Sequence, residues 1–220
     1  MFPLGTVLLP GAFLALHIFE PRYQAMLTDL LAGPRRFGAV LIQRGSEVGG
    51  GEARTDVGTI ARIVDARTVG EGRWSVAATG MQRIRVVRWL PDDPYPMALV
   101  EDLPDVEQAD RDMGAESARF GAVAARLRLV LADLGRLGDP VPADTFECSG
   151  DPATGTLQLG SLGPFGPMDR QRLLAATRTV DRLVLLEEYL AHVEEIVAYR
   201  LGGDGGAAGG QGQRGRPMEH

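Results

Sequence analysis

The chain has 220 residues, 45% apolar and 24% charged, with a net charge of -6 and a pI near 5.1; this is the balance of an ordinary globular protein, and its acidity argues against a dedicated nucleic-acid binder. All 23 basic side chains are arginine, which excludes mechanisms that need a lysine in this chain: the P-loop, the Ser-Lys dyad and the pyridoxal Schiff base. Cys148 is the only cysteine, so no intramolecular disulfide or cysteine-rich metal site can form, and a reducing, cytoplasmic setting is expected.

The first residues, MFPLGTVLLPGAFLALHIF, are apolar. No basic residue precedes Arg22, and Pro3, Gly5, Pro10 and Gly11 interrupt the run, so it is read as neither a signal peptide nor a membrane span. Up to Leu103 the apolar residues fall in short runs of period two, bounded by Gly and Pro, which predicts strands. FLALHIF is the first, RFGAVLIQ the second and VGTIARIVDA the third, with Thr59, Ala61 and Ile63 alternating against Ile60, Arg62 and Val64. EGRWSVAATGMQRIRVVRWL is read as two strands, one through Trp74, Val76 and Ala78, the other with Ile84 and Val86 opposite Arg83 and Arg85. YPMALVEDL is the last.

One helix interrupts the strands. Tyr23, Met26, Leu27, Leu30 and Leu31 lie on one helical face, Pro21 suits the first helical position, and Gly33-Pro34 provides the stop. LHIFEPRY, Leu16 to Tyr23, is therefore a strand-to-helix corner. Beyond Pro104 the period becomes 3.6. Phe120, Val123, Leu127, Val130 and Leu134 predict one helix ending at Gly135, DRQRLLAATRTV a shorter one, and Leu183 through Leu201 a third ending at Gly202-Gly203. The expected organisation is a β-rich unit over 1–104 and a helical unit over 105–201 with a long loop near 136–160. A Gly-rich tail over 202–220 cannot bury enough apolar surface to order.

The candidate chemistry is sparse. Glu188, His192 and Glu195 fall at i, i+4 and i+7 of the last predicted helix, but a second half for a metal site is not evident, so they are read as a solvated face. His17, inside an apolar strand, is read as a hydrogen-bonded structural residue, because no serine, cysteine or aspartate motif surrounds it. The triple glycine in EVGGGEARTDVGT lacks G-x-G-x-x-G spacing and is read as a hairpin connection, as is GEG at 70–72. Arg83, Arg85 and Arg88 with Trp89 could track single-stranded nucleic acid; the preferred reading is the solvated face of a strand. No catalytic residue, cofactor or metal is assigned.

The order of these pieces carries more than any one of them. FPLGTVLLPG, LHIFEPRYQAML, FGAVLI, VGTIARI, GMQRIRVV and DPYPMALVEDL, followed by LGPFGPMDRQRLL and LLEEYL, resemble the N-terminal substrate-binding domain of Lon proteases, as in free-standing bacterial Lon-domain proteins. The resemblance implies an α+β fold: a PUA-like β pseudo-barrel with one packed helix, followed by a C-terminal helical bundle. It also implies a non-enzymatic module that recognises peptides or unfolded proteins, without the ATPase and Ser-Lys peptidase that accompany it in Lon. The candidate partners are unfolded proteins or peptides and a separate protease or ATPase, with no membrane role and oligomeric state open. The segment FEPRYQAML puts Glu20, Arg22 and Tyr23 forward as surface candidates for peptide contact. Apolar segments would bind an exposed groove, by strand addition at a sheet edge or in a helical cleft. The alternative is a PUA-like RNA-binding module.

Overall fold

The computed structural model describes residues 1–44, 53–70, 72–106 and 112–207. The fold is α+β. In chain order come β1 (Phe2–Leu4), β2 (Phe13–Ile18), α1 (Pro21–Ala32), β3 (Arg36–Arg44), β4 (Ala53–Thr68), β5 (Trp74–Leu90), β6 (Met97–Asp102), α2 (Met113–Arg136), α3 (Pro152–Leu162), α4 (Pro167–Ala175) and α5 (Thr179–Ala207). The strands form one mixed sheet in the order β1-β3-β4-β5-β2, with β6 also on β5. Only β1 and β3 run parallel. β2 and β6 follow one another along the same edge of β5, pairing with Trp74–Thr79 and Ile84–Leu90.

Alternation decides which face each strand buries. In β2, Leu14, Leu16 and Ile18 point inward while Phe13, Ala15 and His17 point out; in β4, Thr59, Ala61 and Ile63 are buried. α1 starts at Pro21 and lays Tyr23, Met26 and Leu27 on this inner face.

Three elements differ from the sequence reading. β5 is a single 17-residue strand, because Gly80 lies inside it. Its amide donates to the Ala12 carbonyl and its carbonyl accepts from the Gly11 amide, both at 2.9 Å. A Cβ at this position would collide with the Leu9 carbonyl. The glycine marks where the 5–12 loop crosses the strand closely. Second, the loop expected near 136–160 contains α3 from Pro152 onward, capped by the Asp151 carboxylate on the amides of Ala153 and Thr154. Third, α5 passes Gly202-Gly203 and reaches Ala207; glycine weakens a helix interior without forbidding it. The rest of the Gly-rich tail, 208–220, and the triple glycine at 49–51 lie outside the described residues.

Two cores meet along a seam. One lies between the sheet and α1; the other joins α2, α3, α4 and α5 through residues such as Phe120, Leu127, Leu159, Leu173, Leu186 and Leu190. Val7, Leu9, Leu41, Leu157 and Leu174 form a third cluster that belongs to both sides. Polar contacts follow the same seam, with the Thr59 hydroxyl donating to the Leu8 carbonyl at 2.5 Å and the Gln171 amide to the Val57 carbonyl at 3.0 Å.

On the outside of the helical part, Arg119 and Arg126 of α2 make paired hydrogen bonds to Glu187 and Glu194 of α5. Both partners advance by seven residues, so the two helices run in the same direction. The hydrogen bond from Arg119, opposed by partial burial, holds the Glu187 carboxyl below the usual carboxylate range. A depressed carboxylate contributes stability above its unfolded value and loses it as pH falls through the folded one. These pairs are about one-third exposed, so Arg126→Gln is expected to cost no more than about 1 kcal/mol in thermal melting. A larger loss that persists in high salt would contradict that.

Candidate functional site

The strand-to-helix corner is built by the change of period at Glu20. β2 delivers Phe19 outward, 54% exposed, and Glu20 occupies the N-cap position of α1. The Arg22 guanidinium pairs with Glu20 at 3.1 Å and lies 4.5 Å from the centre of the Tyr23 ring. Tyr23 itself is buried and stacks on Phe2 at 4.2 Å. Of the three surface candidates, Glu20 and Arg22 are therefore partly exposed and Tyr23 is not a surface residue. Its burial follows from the helical face it shares with Met26 and Leu27.

Beside the corner is a groove of about 520 Å³ lined by His17, Ile18, Phe19, Val69, Arg73 and Trp74. The β4–β5 hairpin forms its far wall. Val69 donates to the Arg73 carbonyl and Arg73 to the Gly70 carbonyl, both at 2.9 Å, and Gly70 and Gly72 adopt positive φ values of 96° and 73° that suit glycine. Val69 is 55% exposed. His17 stands on the outer face and lines the groove, so the expected structural role inside the strand is corrected. A wall of aromatic and aliphatic side chains favours binding of apolar chain. Phe19 and Val69 were not singled out from sequence, although Phe19 continues the outward set 13, 15, 17.

The other end of β2 opens on a smaller groove of about 260 Å³, lined by Gly11, Ala12, Phe13, Glu147, Gln158 and Leu162 among others. Between the two grooves, no strand among the described residues pairs with the outer edge of β2.

A third cavity, about 320 Å³, reaches Arg83 and Asp105. Here the basic strip read at Arg83, Arg85, Arg88 and Trp89 comes apart. Arg85 and Arg88 are exposed, but Arg83 is buried and Trp89 carries Arg54 over its ring at 4.5 Å. Arg83 donates to the Leu174 and Ala176 carbonyls at 2.9 and 2.7 Å and also pairs with Asp105. Arg182, fully buried, grips the same carboxylate at 2.8 and 2.6 Å and holds the Thr156 hydroxyl at 2.9 Å. Burial lowers the Arg83 guanidinium from its usual value; Asp105 opposes this and Arg182 adds to it. These groups satisfy one another, which makes the cluster a tie between sheet and helices.

Glu188, His192 and Glu195 lie exposed along α5, and among the described residues no group of three or more His, Cys, Asp or Glu is placed to hold a metal. Among the same residues no helix is long and apolar enough to cross a membrane.

Residues 1–192 match the family model described as the ATP-dependent protease La (LON) substrate-binding domain. Lon protease 2 of Sorangium cellulosum is 30% identical over 143 residues, covering 64% of this chain and 17% of that protein. Lon protease 2 of Herpetosiphon aurantiacus is 26% identical over 200 residues, 88% of this chain and 23% of that one. The chain thus spans less than a quarter of the length of these relatives. Among solved structures, a Lon N-terminal domain protein from Xanthomonas campestris superposes with a TM-score of 0.60 at 28% identity, covering 86% of this chain and 95% of that one. The N-terminal domain of Mycobacterium avium complex Lon protease gives 0.60 at 16% identity, over 86% and 96%, a likeness of fold alone.

Proposed function

The chain belongs to the Lon substrate-binding domain family, and from that premise we propose that it is a non-enzymatic recognition module for exposed apolar segments of unfolded proteins. The observation that carries the reading is the groove at the strand-to-helix corner, where Phe19 and Val69 stand more than half exposed beside Trp74. Solvent-exposed apolar side chains that line a concave surface gain by covering it with apolar chain. Glu20 and Arg22 form the polar rim on the helix side, and Tyr23 supports them from below. Within the reading, the coiled sheet is a PUA-like pseudo-barrel over 1–104 and the helices of 105–201 form a bundle. The module works in the cytoplasm as an adaptor or sequestering factor, with a separate ATPase or protease handling what it captures. The alternative, a PUA-like RNA-binding module, would have to work through Arg85 and Arg88 without Arg83, which is committed to the interior.

Trp74 supplies the assay. In a Trp89→Phe background, its fluorescence should respond to a reduced, unfolded protein or to an apolar peptide. Phe19→Ser combined with Val69→Ser is expected to weaken binding about tenfold, the equivalent of about 1.4 kcal/mol. Unchanged affinity in the double variant, with the thermal midpoint retained, would reject this groove as the site.

A further inference from the structure

We propose that the captured protein segment carries a carboxylate, and that Arg36 and Arg62 receive it on the outer face of the sheet. The proposal rests on the recognition role above and adds an acidic requirement to it. Arg36 of β3 stands directly opposite Arg62 of β4. The next facing pair, Phe37 and Ala61, is buried, so alternation turns both arginines outward, and both are exposed. Facing residues of an antiparallel pair hold their Cβ atoms about 5 Å apart, and like charges in that position repel. The other two arginines of β4 are answered, Arg54 by Asp92 and the Trp89 ring, Arg67 by Asp65 at 2.7 Å. Among the described residues no carboxylate pairs with Arg36 or Arg62. A chain of net charge -6 thus leaves a repelling cationic pair uncompensated on its surface.

The pair is held in place by the backbone before it. Arg35 adopts a left-handed φ of 55°, its amide donates to the Leu30 carbonyl at 3.1 Å, and its carbonyl accepts from the Ile63 amide at 2.9 Å. Two guanidiniums fixed side by side present parallel donors to a carboxylate. The rest of the face favours a polypeptide as its carrier. The row runs on from Arg62 to Thr79 of β5 and Phe13 of β2, and beyond it lie Ala77 beside Ala15 and Ser75 beside His17. These positions supply a floor of small side chains and one phenyl ring, whereas single-stranded nucleic acid binds on a series of aromatic platforms. From Thr79 to Ser75 the floor extends about 13 Å, the length of about four extended residues. It ends at His17, where the apolar groove begins. An extended segment with an acidic residue at one end and an apolar one at the other spans the two.

The test uses the full chain at low ionic strength and three probes: a peptide with an apolar pair and a glutamate pair about four residues apart, the same peptide with glutamines, and a short oligouridylate. The glutamate peptide should bind about tenfold or more tighter than the glutamine peptide, and rising salt should close the gap. Arg62→Glu should erase the preference while the thermal midpoint holds or rises, because it turns a repelling pair into an attracting one. A purely structural role for Arg62 would lower the midpoint instead. Arg36→Glu combined with Arg62→Glu should reverse the preference toward a lysine peptide.

If the two peptides bind equally and Phe19→Ser weakens both, the acidic requirement is overturned and the recognition role survives. If neither peptide nor an unfolded protein binds, both fall. Oligouridylate binding lost in Arg62→Glu, with no preference between the peptides, would give the pair to nucleic acid and overturn the proposal. A salt-sensitive dimer lost in Arg62→Glu, again with no peptide preference, would give it to a second copy of this chain and overturn it equally.

Discussion

Asp105→Ala is expected to lower the free energy of unfolding by about 3–5 kcal/mol. The carboxylate answers two guanidiniums, one fully buried and the other 6% exposed. Removing it leaves two guanidinium charges whose own side chains are buried. The loss is not larger, because Arg83 keeps the Leu174 and Ala176 carbonyls and Arg182 keeps the Ala153 and Ala176 carbonyls. Leu174 and Ala176 lie at the C-terminus of α4, where the helix dipole is negative. Urea unfolding measures the effect. A loss below about 1 kcal/mol would mean that the carbonyls alone neutralise the pair and that Asp105 is dispensable. Amide exchange in the first turn of α3 should also accelerate, since Arg182 ties that turn to Asp105.

Leu27→Ala and Leu186→Ala, one in each core and both at most 1% exposed, are each expected to cost about 2–5 kcal/mol through lost burial and the cavity left behind. What discriminates is the shape of the transition. The Val7, Leu9, Leu41, Leu157 and Leu174 cluster and the Asp105 tie make the interior continuous. Both variants should therefore shift one shared unfolding transition. If Leu27→Ala moved a first transition and Leu186→Ala a separate second one, sheet and helices would be independent units and the seam would carry little stability.

Much of the fold is legible along the chain. The outward and inward sets of β2 and β4 follow from alternation, α1 from its 3.6-residue stripe and Pro21, and α2 and α5 from longer stripes. The misses have physical causes. Gly80 looks like a breaker because its lack of a Cβ signals a turn; the reason for it is the Leu9 carbonyl, some seventy positions away. α3 has no clear stripe because Gly155, Thr156, Leu157, Leu159 and Gly160 are all buried. A helix enclosed on several sides loses the polar face that makes its period visible.

The candidate site divides in the same way. The corner at LHIFEPRY was readable, and so was the helical face that buries Tyr23, had its position beside Met26 and Leu27 outweighed its neighbours at Glu20 and Arg22. Phe19 already lies at the end of the strand read as FLALHIF, and the period-two alternation along it places Phe19 on the outward side with Phe13, Ala15 and His17. Val69 could not be found in this way, because only the β4–β5 hairpin brings it opposite His17.

The sequence by itself determined the local periods, the corner at Pro21, the absence of lysine chemistry and the motif order that leads to the family. Those depend on neighbours a few positions apart and on composition. Only the tertiary structure decided that no strand among the described residues pairs with the outer edge of β2, and that Arg83 and Arg182 are buried on one carboxylate. Strand order and charge burial depend on residues far apart in the chain, and a charged side chain carries no local mark that its partner will follow it inside.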